Sequence, residues 1–271
     1  MGNFDLPVIA LFASLGSLAG FLAGLLGIGG GIILVPLFLW TFSLAGFAPE
    51  ILVHTAFGTS LGIIILTAIS STFGHRKHGN IDWRHVLYLA LGGIAGAMAG
   101  AGLATQISGN WLKVLFGMMQ ILVAGNLLFV QSRLPPAKEA PPPGLSLVAV
   151  GVAGGMFSAF FGVGGGVVAV PLMVMVLRFP MHLAVGNSSA LIVISSVAGT
   201  ISYLVLGWGE PHLPPYSLGY VNFLVILLVA PFTVAMARLG VKVAARMSHD
   251  RLVKVFAIIL ILVGVRMIVR Y

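Results

Sequence analysis

The chain has 271 residues, of which 59% are hydrophobic and only 7% are charged. Soluble domains contain roughly 25% charged residues, so a chain of this length has too few charges to cover the surface of soluble domains. A lipid bilayer can solvate the remaining apolar surface, and the composition predicts a helical membrane protein. The net charge of +8 comes from basic residues in short loops between apolar segments. Basic loops of this kind set the orientation of membrane proteins, so the charge does not indicate nucleic-acid binding.

Ten apolar segments follow one another along the chain. They cover residues 7–26, 32–46, 51–74, 85–106 and 111–131 in the first half and 145–161, 167–179, 182–207, 216–237 and 251–270 in the second. A membrane-spanning helix needs about 20 apolar residues, a length that three segments of each half reach comfortably. We expect a first transmembrane repeat over residues 1–131, a Pro-rich linker over 132–144 and a second transmembrane repeat over 145–271.

The two halves share a motif of glycines followed by Val-Pro. GIGGG at 27–31 and VPL at 35–37 recur as GVGGG at 162–166 and VPL at 170–172. Further along, the residues of one block recur in the same order in the other half: His54, Gly58 and Ser60 as His182, Gly186 and Ser188. Such ordered self-similarity predicts a duplication of one structural unit.

Loop charge indicates that the two copies are inverted in the membrane. Loop 75–85 contains three basic residues and is predicted to be cytoplasmic, whereas the equivalent loop 208–215 contains no Lys or Arg and is predicted to be external. The basic residues of 238–254 indicate a return to the cytoplasm. Each half then crosses an odd number of times, with the linker 132–144 inside and both termini outside. Each glycine-linked pair of segments crosses twice or forms a re-entrant hairpin.

The glycine motifs predict unwound backbone over 27–35 and 162–170. Each glycine costs about 1 kcal/mol in a helix relative to alanine, and the residue before a proline disfavours helical conformation. We therefore expect non-helical conformations at Val35 and Val170, with helices that restart at the following prolines. Paired breaks in inverted halves indicate the binding site of a transporter. The alternative is that the glycines only allow close helix packing.

Free amides at such breaks, and the positive ends of the helices that follow, favour an anion. The predicted substrate site combines these amides with neutral polar side chains: Gly29, Gly30, Gly31, Thr59, Ser60, Gly164, Gly165, Gly166, Asn187 and Ser188. Thr59 and Asn187 occupy equivalent positions and would orient the anion. For Ser60 and Ser188, interhelical hydrogen bonding is the alternative interpretation. His54 and His182 are candidates for proton handling, with an ordinary place near the membrane surface as the alternative.

Several functions are disfavoured by what the sequence lacks. All six acidic residues fall in loops or at segment ends, so no intramembrane carboxylate can hold a sodium ion or relay protons. There is no cysteine and no pattern of metal ligands, so no metal or other cofactor is predicted. Ser60 and His54 are six residues apart and do not share a helix face, which disfavours a serine enzyme. The two functions that these observations leave open are a secondary transporter and an anion channel.

The two glycine motifs with their Val-Pro tails, followed in the first half by Ala56-Phe57-Gly58-Thr59-Ser60, resemble the sulfite exporter TauE/SafE family of permeases over nearly the full length. The resemblance implies transport of small sulfur-containing anions such as sulfite, sulfoacetate or other organosulfonates. It also implies a multi-pass protein of a prokaryotic cytoplasmic (inner) membrane. If transport is coupled to protons, a histidine or the substrate itself must carry the proton, because no intramembrane carboxylate is available. Family members differ in substrate and direction. Asn187 departs from the Gly-Thr-Ser pattern, so a symmetric site is not assumed.

Overall fold

The structure, a computed structural model, describes residues 6–26, 30–129, 142–244 and 249–269. Within these ranges the chain forms ten helices and one short hairpin of two strands: α1 (Leu6–Leu26), α2 (Gly31–Leu44), α3 (Pro49–Lys77), α4 (Trp83–Thr105), α5 (Gly109–Phe129), α6 (Gly144–Phe161), α7 (Gly166–Met175), α8 (Met181–Leu206), β1 (Ser217–Leu218), β2 (Val221–Asn222), α9 (Phe223–Ala244) and α10 (His249–Val269). Among the described residues, five helices are long and apolar enough to cross a membrane, namely α3, α4, α6, α8 and most of α9. The prediction of an all-α multi-pass membrane protein is confirmed.

The start of α9 differs from the predicted apolar segment 216–237. The first residues of that segment form an antiparallel hairpin, in which Ser217 pairs with Asn222, and α9 begins only at Phe223. The Asn222 side chain then caps the helix, because its Oδ1 accepts a hydrogen bond from the Val225 amide at 2.9 Å. In the sequence, Leu218 and Val221 connect the hairpin to the apolar residues of α9, although Gly219 and Asn222 are typical turn and cap residues.

The helices on either side of each glycine motif run antiparallel. The ring of Phe12, near the start of α1, lies 6.5 Å and 5.9 Å from the rings of Phe38 and Phe42, near the end of α2. In the second half, Gly154 of α6 packs against Ala169 of α7. Both pairs are therefore antiparallel helix hairpins, and neither is a single broken span. An odd number of crossings per half is compatible with such hairpins.

Helices of the two halves pack against each other in matched pairs. The most extensive contacts join α4 to α6, α1 to α9, α3 to α8 and α5 to α10. Taken in chain order, the counterparts in the two halves are α1 and α6, α2 and α7, α3 and α8, α4 and α9, and α5 and α10. Exchanging each helix for its counterpart converts the α4–α6 pair into α9–α1. The same exchange leaves the α3–α8 and α5–α10 pairs unchanged. The main cluster of buried apolar side chains also draws on both halves. This matched pairing supports the proposed duplication, while inversion in the membrane stays a prediction.

Small residues bring α4 and α6 into backbone contact. Gly92, Gly96 and Gly100 lie at four-residue spacing on α4, and a Cβ atom added at any of them would overlap a carbonyl oxygen of α6. Gly151 and Gly155 of α6 make the reciprocal contacts with the backbone of α4. Van der Waals packing drives helix association in lipid, so these glycines set the distance between the two helices.

We expect Gly96→Ala to destabilise the protein, because the added methyl group overlaps the carbonyl oxygen of Val152. Overpacking of this kind costs typically about 1–3 kcal/mol. Gly102→Ala is the matched control on the same helix, where an added Cβ atom meets nothing within 4 Å. It should leave stability unchanged or raise it by up to about 1 kcal/mol. Thermal unfolding in detergent measures both variants, and equal unfolding temperatures would contradict the close contact.

Candidate functional site

The tips of the two helix hairpins meet in the middle of the molecule. A Cβ atom added to Gly31 would lie 2.5 Å from the Cα atom of Val163, so the first break touches the second. An added Cβ at Gly164 would lie 3.1 Å from the Ile64 side chain and 3.2 Å from that of Ile192. Ile64 and Ile192 lie near the midpoints of α3 and α8. The breaks are therefore at mid-depth of two helices that can span the membrane.

The unwound segments are shorter than predicted. Val35 and Val170 are helical, because α2 begins at Gly31 and α7 begins at Gly166. The prediction of non-helical backbone at these valines, with helices restarting at the prolines, is wrong. Of the predicted unwound segment 162–170, only residues 162–165 are non-helical.

Two glycines in left-handed conformation explain where the helices begin. Gly30 precedes α2 with a φ of 78°, and Gly165 precedes α7 with a φ of 70°. Glycine adopts this conformation without steric cost, whereas other residues rarely do. Neither glycine has a side chain that could accept hydrogen bonds from the first amides of its helix. Gly29, the remaining glycine of the predicted site, lies outside the described residues.

A buried glutamine compensates for the proline inside α2. Pro36 has no N–H group, so the carbonyl oxygen of Ile32 loses its usual helical partner. Gln120 of α5 is fully buried, and its Nε2 donates a hydrogen bond to that carbonyl at 3.0 Å. Sequence reasoning missed Gln120. The signal that could have indicated it is an amide side chain in the middle of the apolar segment 111–131.

At the second break, the carbonyl end of α6 is capped. The carbonyl oxygens of Ser158, Ala159 and Gly162 accept hydrogen bonds, in that order, from the Val163 amide at 3.1 Å, the Tyr203 hydroxyl at 2.9 Å and the Ser60 hydroxyl at 2.9 Å. The predicted site residue Ser60 thus contacts the break, but its hydroxyl is already engaged. These bonds offset much of the negative potential that the end of α6 would otherwise present.

The amide end of α7 is left open. The amides of Gly164, Gly165 and Val167 have no acceptor among the described residues, whereas the Gly166 amide bonds the Gly164 carbonyl at 2.9 Å. All of residues 162–166 are buried. Buried backbone amides are almost always paired, so unpaired ones at a helix amino terminus indicate a place for an acceptor.

Ser188 adds a free hydroxyl to this open end. Its Oγ lies 3.3 Å from the position that a Cβ atom on Gly166 would take, and the residue is only 1% exposed. The same Oγ has no hydrogen-bond partner among the described residues. A buried hydroxyl without a partner calls for a ligand or an ordered water. The structure thus brings Ser188 together with the glycines of the second break, as predicted for the site.

Thr59 and Asn187 instead bind loops of the opposite half. The Oγ1 of Thr59 accepts a hydrogen bond from the Asn222 amide at 3.0 Å, and the Oδ1 of Asn187 accepts one from the Asp82 amide at 2.9 Å. Asp82 and Asn222 cap the helices α4 and α9, which correspond to each other in the two halves. The two contacts are therefore equivalent under the repeat.

The structure does not bring Thr59 and Asn187 together. Position 58 lies level with Tyr203 of α8, because an added Cβ there would be 3.0 Å from the Tyr203 Cβ. Asn187 precedes Tyr203 by 203 − 187 = 16 residues on α8, or roughly 24 Å along the helix. One small anion cannot contact both side chains in this conformation. Their role in orienting the anion stays a prediction.

The two candidate proton-handling histidines lie in different environments. His54 is buried, its Nε2 donates to the Ala104 carbonyl at 3.1 Å, and its ring centre lies 5.2 Å from that of Tyr220. The Nδ1 of His54 has no partner within the described part of the chain. His182, its counterpart, is exposed near the start of α8. Neither histidine contacts the break, and proton handling by them stays a prediction.

A buried, amide-lined break between hairpins of a multi-pass helical bundle is typical of membrane transporters. The chain belongs to the family described as Sulfite exporter TauE/SafE, whose sequence profile matches residues 12–267. It is 33% identical over 267 residues to a probable membrane transporter protein of Haemophilus influenzae, a match that covers 97% of this chain and 98% of the relative.

Two further relatives cover similar lengths. A probable membrane transporter protein of Bacillus subtilis is 29% identical over 272 residues, which is 94% of this chain and 95% of the relative. One of Methanocaldococcus jannaschii is 29% identical over 268 residues, or 97% and 96% of the two chains. The predicted family membership is confirmed, and the relatives indicate a transporter rather than an enzyme.

We expect Gln120→Ala to lower stability, because it leaves the Ile32 carbonyl buried without a partner. Such a loss costs about 1–3 kcal/mol. Pro36→Ala restores an N–H group four residues after Ile32, so in the Gln120→Ala background it should recover part of the loss. Thermal unfolding of the wild type, both single variants and the double variant completes a mutant cycle. Strictly additive effects would show that Gln120 does not compensate for Pro36.

Proposed function

We propose that this chain is a secondary transporter of small sulfur-containing anions, such as sulfite and organosulfonates, which bind where the hairpin tips meet. The observation that carries the proposal is the set of unpaired amides of Gly164, Gly165 and Val167 at the start of α7, beside the unpartnered hydroxyl of Ser188. Helix amino termini bind oxyanions through their amides and their dipole. The start of α2 at Gly30–Gly31, against the same break, adds to the positive potential. The family description supports sulfur oxyanions as the class of substrate.

Burial of this region supports a carrier rather than a channel. Gly30, Gly31, residues 162–166 and Ser188 are all buried, whereas an open channel needs a continuous wet path. A carrier must be able to close on both sides of its site. The structure has a loop contact on each side of the break, one at Thr59 and one at Asn187.

We infer that these two loop contacts are the closures of an alternating-access cycle. Helices α3 and α8 run antiparallel, since Gly58 meets Tyr203 at one end of their contact and Thr72 bonds Ser189 at the other. Thr59 and Asn187 therefore lie on opposite sides of the central isoleucines. Release of one loop while the other stays bound gives access from one side at a time.

We also propose that the chain lies in a prokaryotic inner membrane and that its two repeats have opposite orientations in that membrane. The chain has no native cysteine, so single cysteines can be placed without a background. His78 and His212 are both exposed in equivalent loops of the two halves. In intact cells, a membrane-impermeant thiol reagent should label His212→Cys at once and His78→Cys only after lysis. Labelling of both from the same side would contradict inversion.

The binding proposal predicts that Ser188→Ala weakens sulfite uptake into proteoliposomes. A hydrogen bond to a charged group contributes about 1.5–3 kcal/mol, so the apparent affinity should fall roughly 10–100-fold. Ser202→Ala is the control on the same helix, because the Ser202 hydroxyl bonds the Ala198 carbonyl at 2.9 Å, away from the break. Its kinetics should match the wild type. A folded Ser188→Ala variant with wild-type affinity would rule out this site.

A further inference from the structure

The hairpins that form the site contain no titratable side chain. Over their described lengths, helices α1, α2, α6 and α7 have no Asp, Glu, His, Lys, Arg or Tyr. The side chains closest to Gly164 and Gly166 belong to Ile64, Ile192 and Ser188. Nothing charged among these residues can neutralise a bound anion.

The two long helices beside the break also keep their titratable groups at a distance. On α3 and α8, four such groups lie nearest to the central isoleucines, each ten or eleven residues away: His54, His75, His182 and Tyr203. That separation is roughly 15 Å or more along the helix. Only one of the four, Tyr203, contacts the break region, and its hydroxyl already donates to the Ala159 carbonyl at 2.9 Å.

Within the hairpins, α3 and α8 as described, positive potential at the site therefore comes from backbone amides and hydroxyl groups. One helix amino terminus is equivalent to about half an elementary charge, so α2 and α7 together supply at most about one. A single negative charge matches this potential. A second negative charge would stay uncompensated among the apolar side chains of Ile64, Val163 and Ile192, and burial of an unpaired charge is strongly disfavoured.

We propose that the site selects singly charged sulfur anions. Hydrogensulfite and sulfonates without a second acidic group would bind, whereas sulfate, the sulfite dianion and the doubly charged sulfoacetate would be excluded. The inference rests on the proposed function, because it assigns the charge of the ligand at that same site. It narrows the substrate class from sulfur anions in general to monoanions.

Sulfite allows the charge of the ligand to be changed without changing the protein. It is a mixture of monoanion and dianion near neutral pH, whereas methanesulfonate remains a monoanion throughout. Uptake of labelled sulfite and labelled methanesulfonate is measured in the same proteoliposomes, with equal pH on both sides. The pH is varied from one unit below to one unit above the second pKa of sulfite, at constant, subsaturating total concentration.

The ratio of sulfite uptake to methanesulfonate uptake is the readout. It should fall about tenfold across this interval, because the monoanion fraction of sulfite falls by that factor. A pH-dependent change of the protein that affects both substrates equally cancels in the ratio. At one pH, unlabelled methanesulfonate should inhibit sulfite uptake, while sulfate at the same concentration should not.

Two results separate the failure of this inference from the failure of the proposed function. A constant ratio across the pH interval, or inhibition by sulfate as strong as by methanesulfonate, would overturn monoanion selection and leave sulfur-anion transport intact. Absence of uptake for both labelled anions by correctly folded protein would overturn the proposed function, and the charge selection with it.

Discussion

Backbone hydrogen bonding at mid-depth in the membrane is the constraint on which the rest of this structure depends. The second glycine break ends one helix and starts another in a buried position, so its carbonyl and amide groups need partners within the protein. Side chains from distant helices supply these partners for the carbonyl groups: Ser60 and Tyr203 at the end of α6, and Gln120 inside α2. The amides of Gly164, Gly165 and Val167 have no partner within the described residues, and this imbalance is the basis of the proposed anion site.

In the matched halves, the proposed site lies between two equivalent loop contacts, one at Thr59 and one at Asn187. The tips of both hairpins meet at Gly31 and Val163, against the midpoints of α3 and α8. On either side, a helix-capping residue of one half is held by a polar side chain of the other, through Thr59 or Asn187. Equivalent contacts on opposite sides of a central site allow two similar states with opposite access. The duplication is therefore compatible with the proposed alternating access.

The sequence predicted the apolar helices, the position of the breaks and the presence of Ser188 at one of them, because these depend on local composition and on the repeat. It did not predict how far the breaks extend. Helix α2 continues through Pro36, and Gln120, distant in sequence, bonds the Ile32 carbonyl that the proline leaves without its helical partner. The partners of Thr59 and Asn187 were hidden for the same reason, since those contacts join loops and helices of different halves. The hairpin before α9 was missed because Leu218 and Val221 were assigned to the apolar segment, although Gly219 and Asn222 could have indicated the turn and the cap.

The most direct measurement is the location of a bound oxyanion. Selenite is a close analogue of sulfite, and in crystals of the protein with unmodified methionines it would be the only selenium present. Anomalous difference density should appear within hydrogen-bonding distance of the Gly164–Val167 amides and the Ser188 hydroxyl. Density confined to another place, such as the basic loop at 75–85, in a protein that transports selenite would contradict the account.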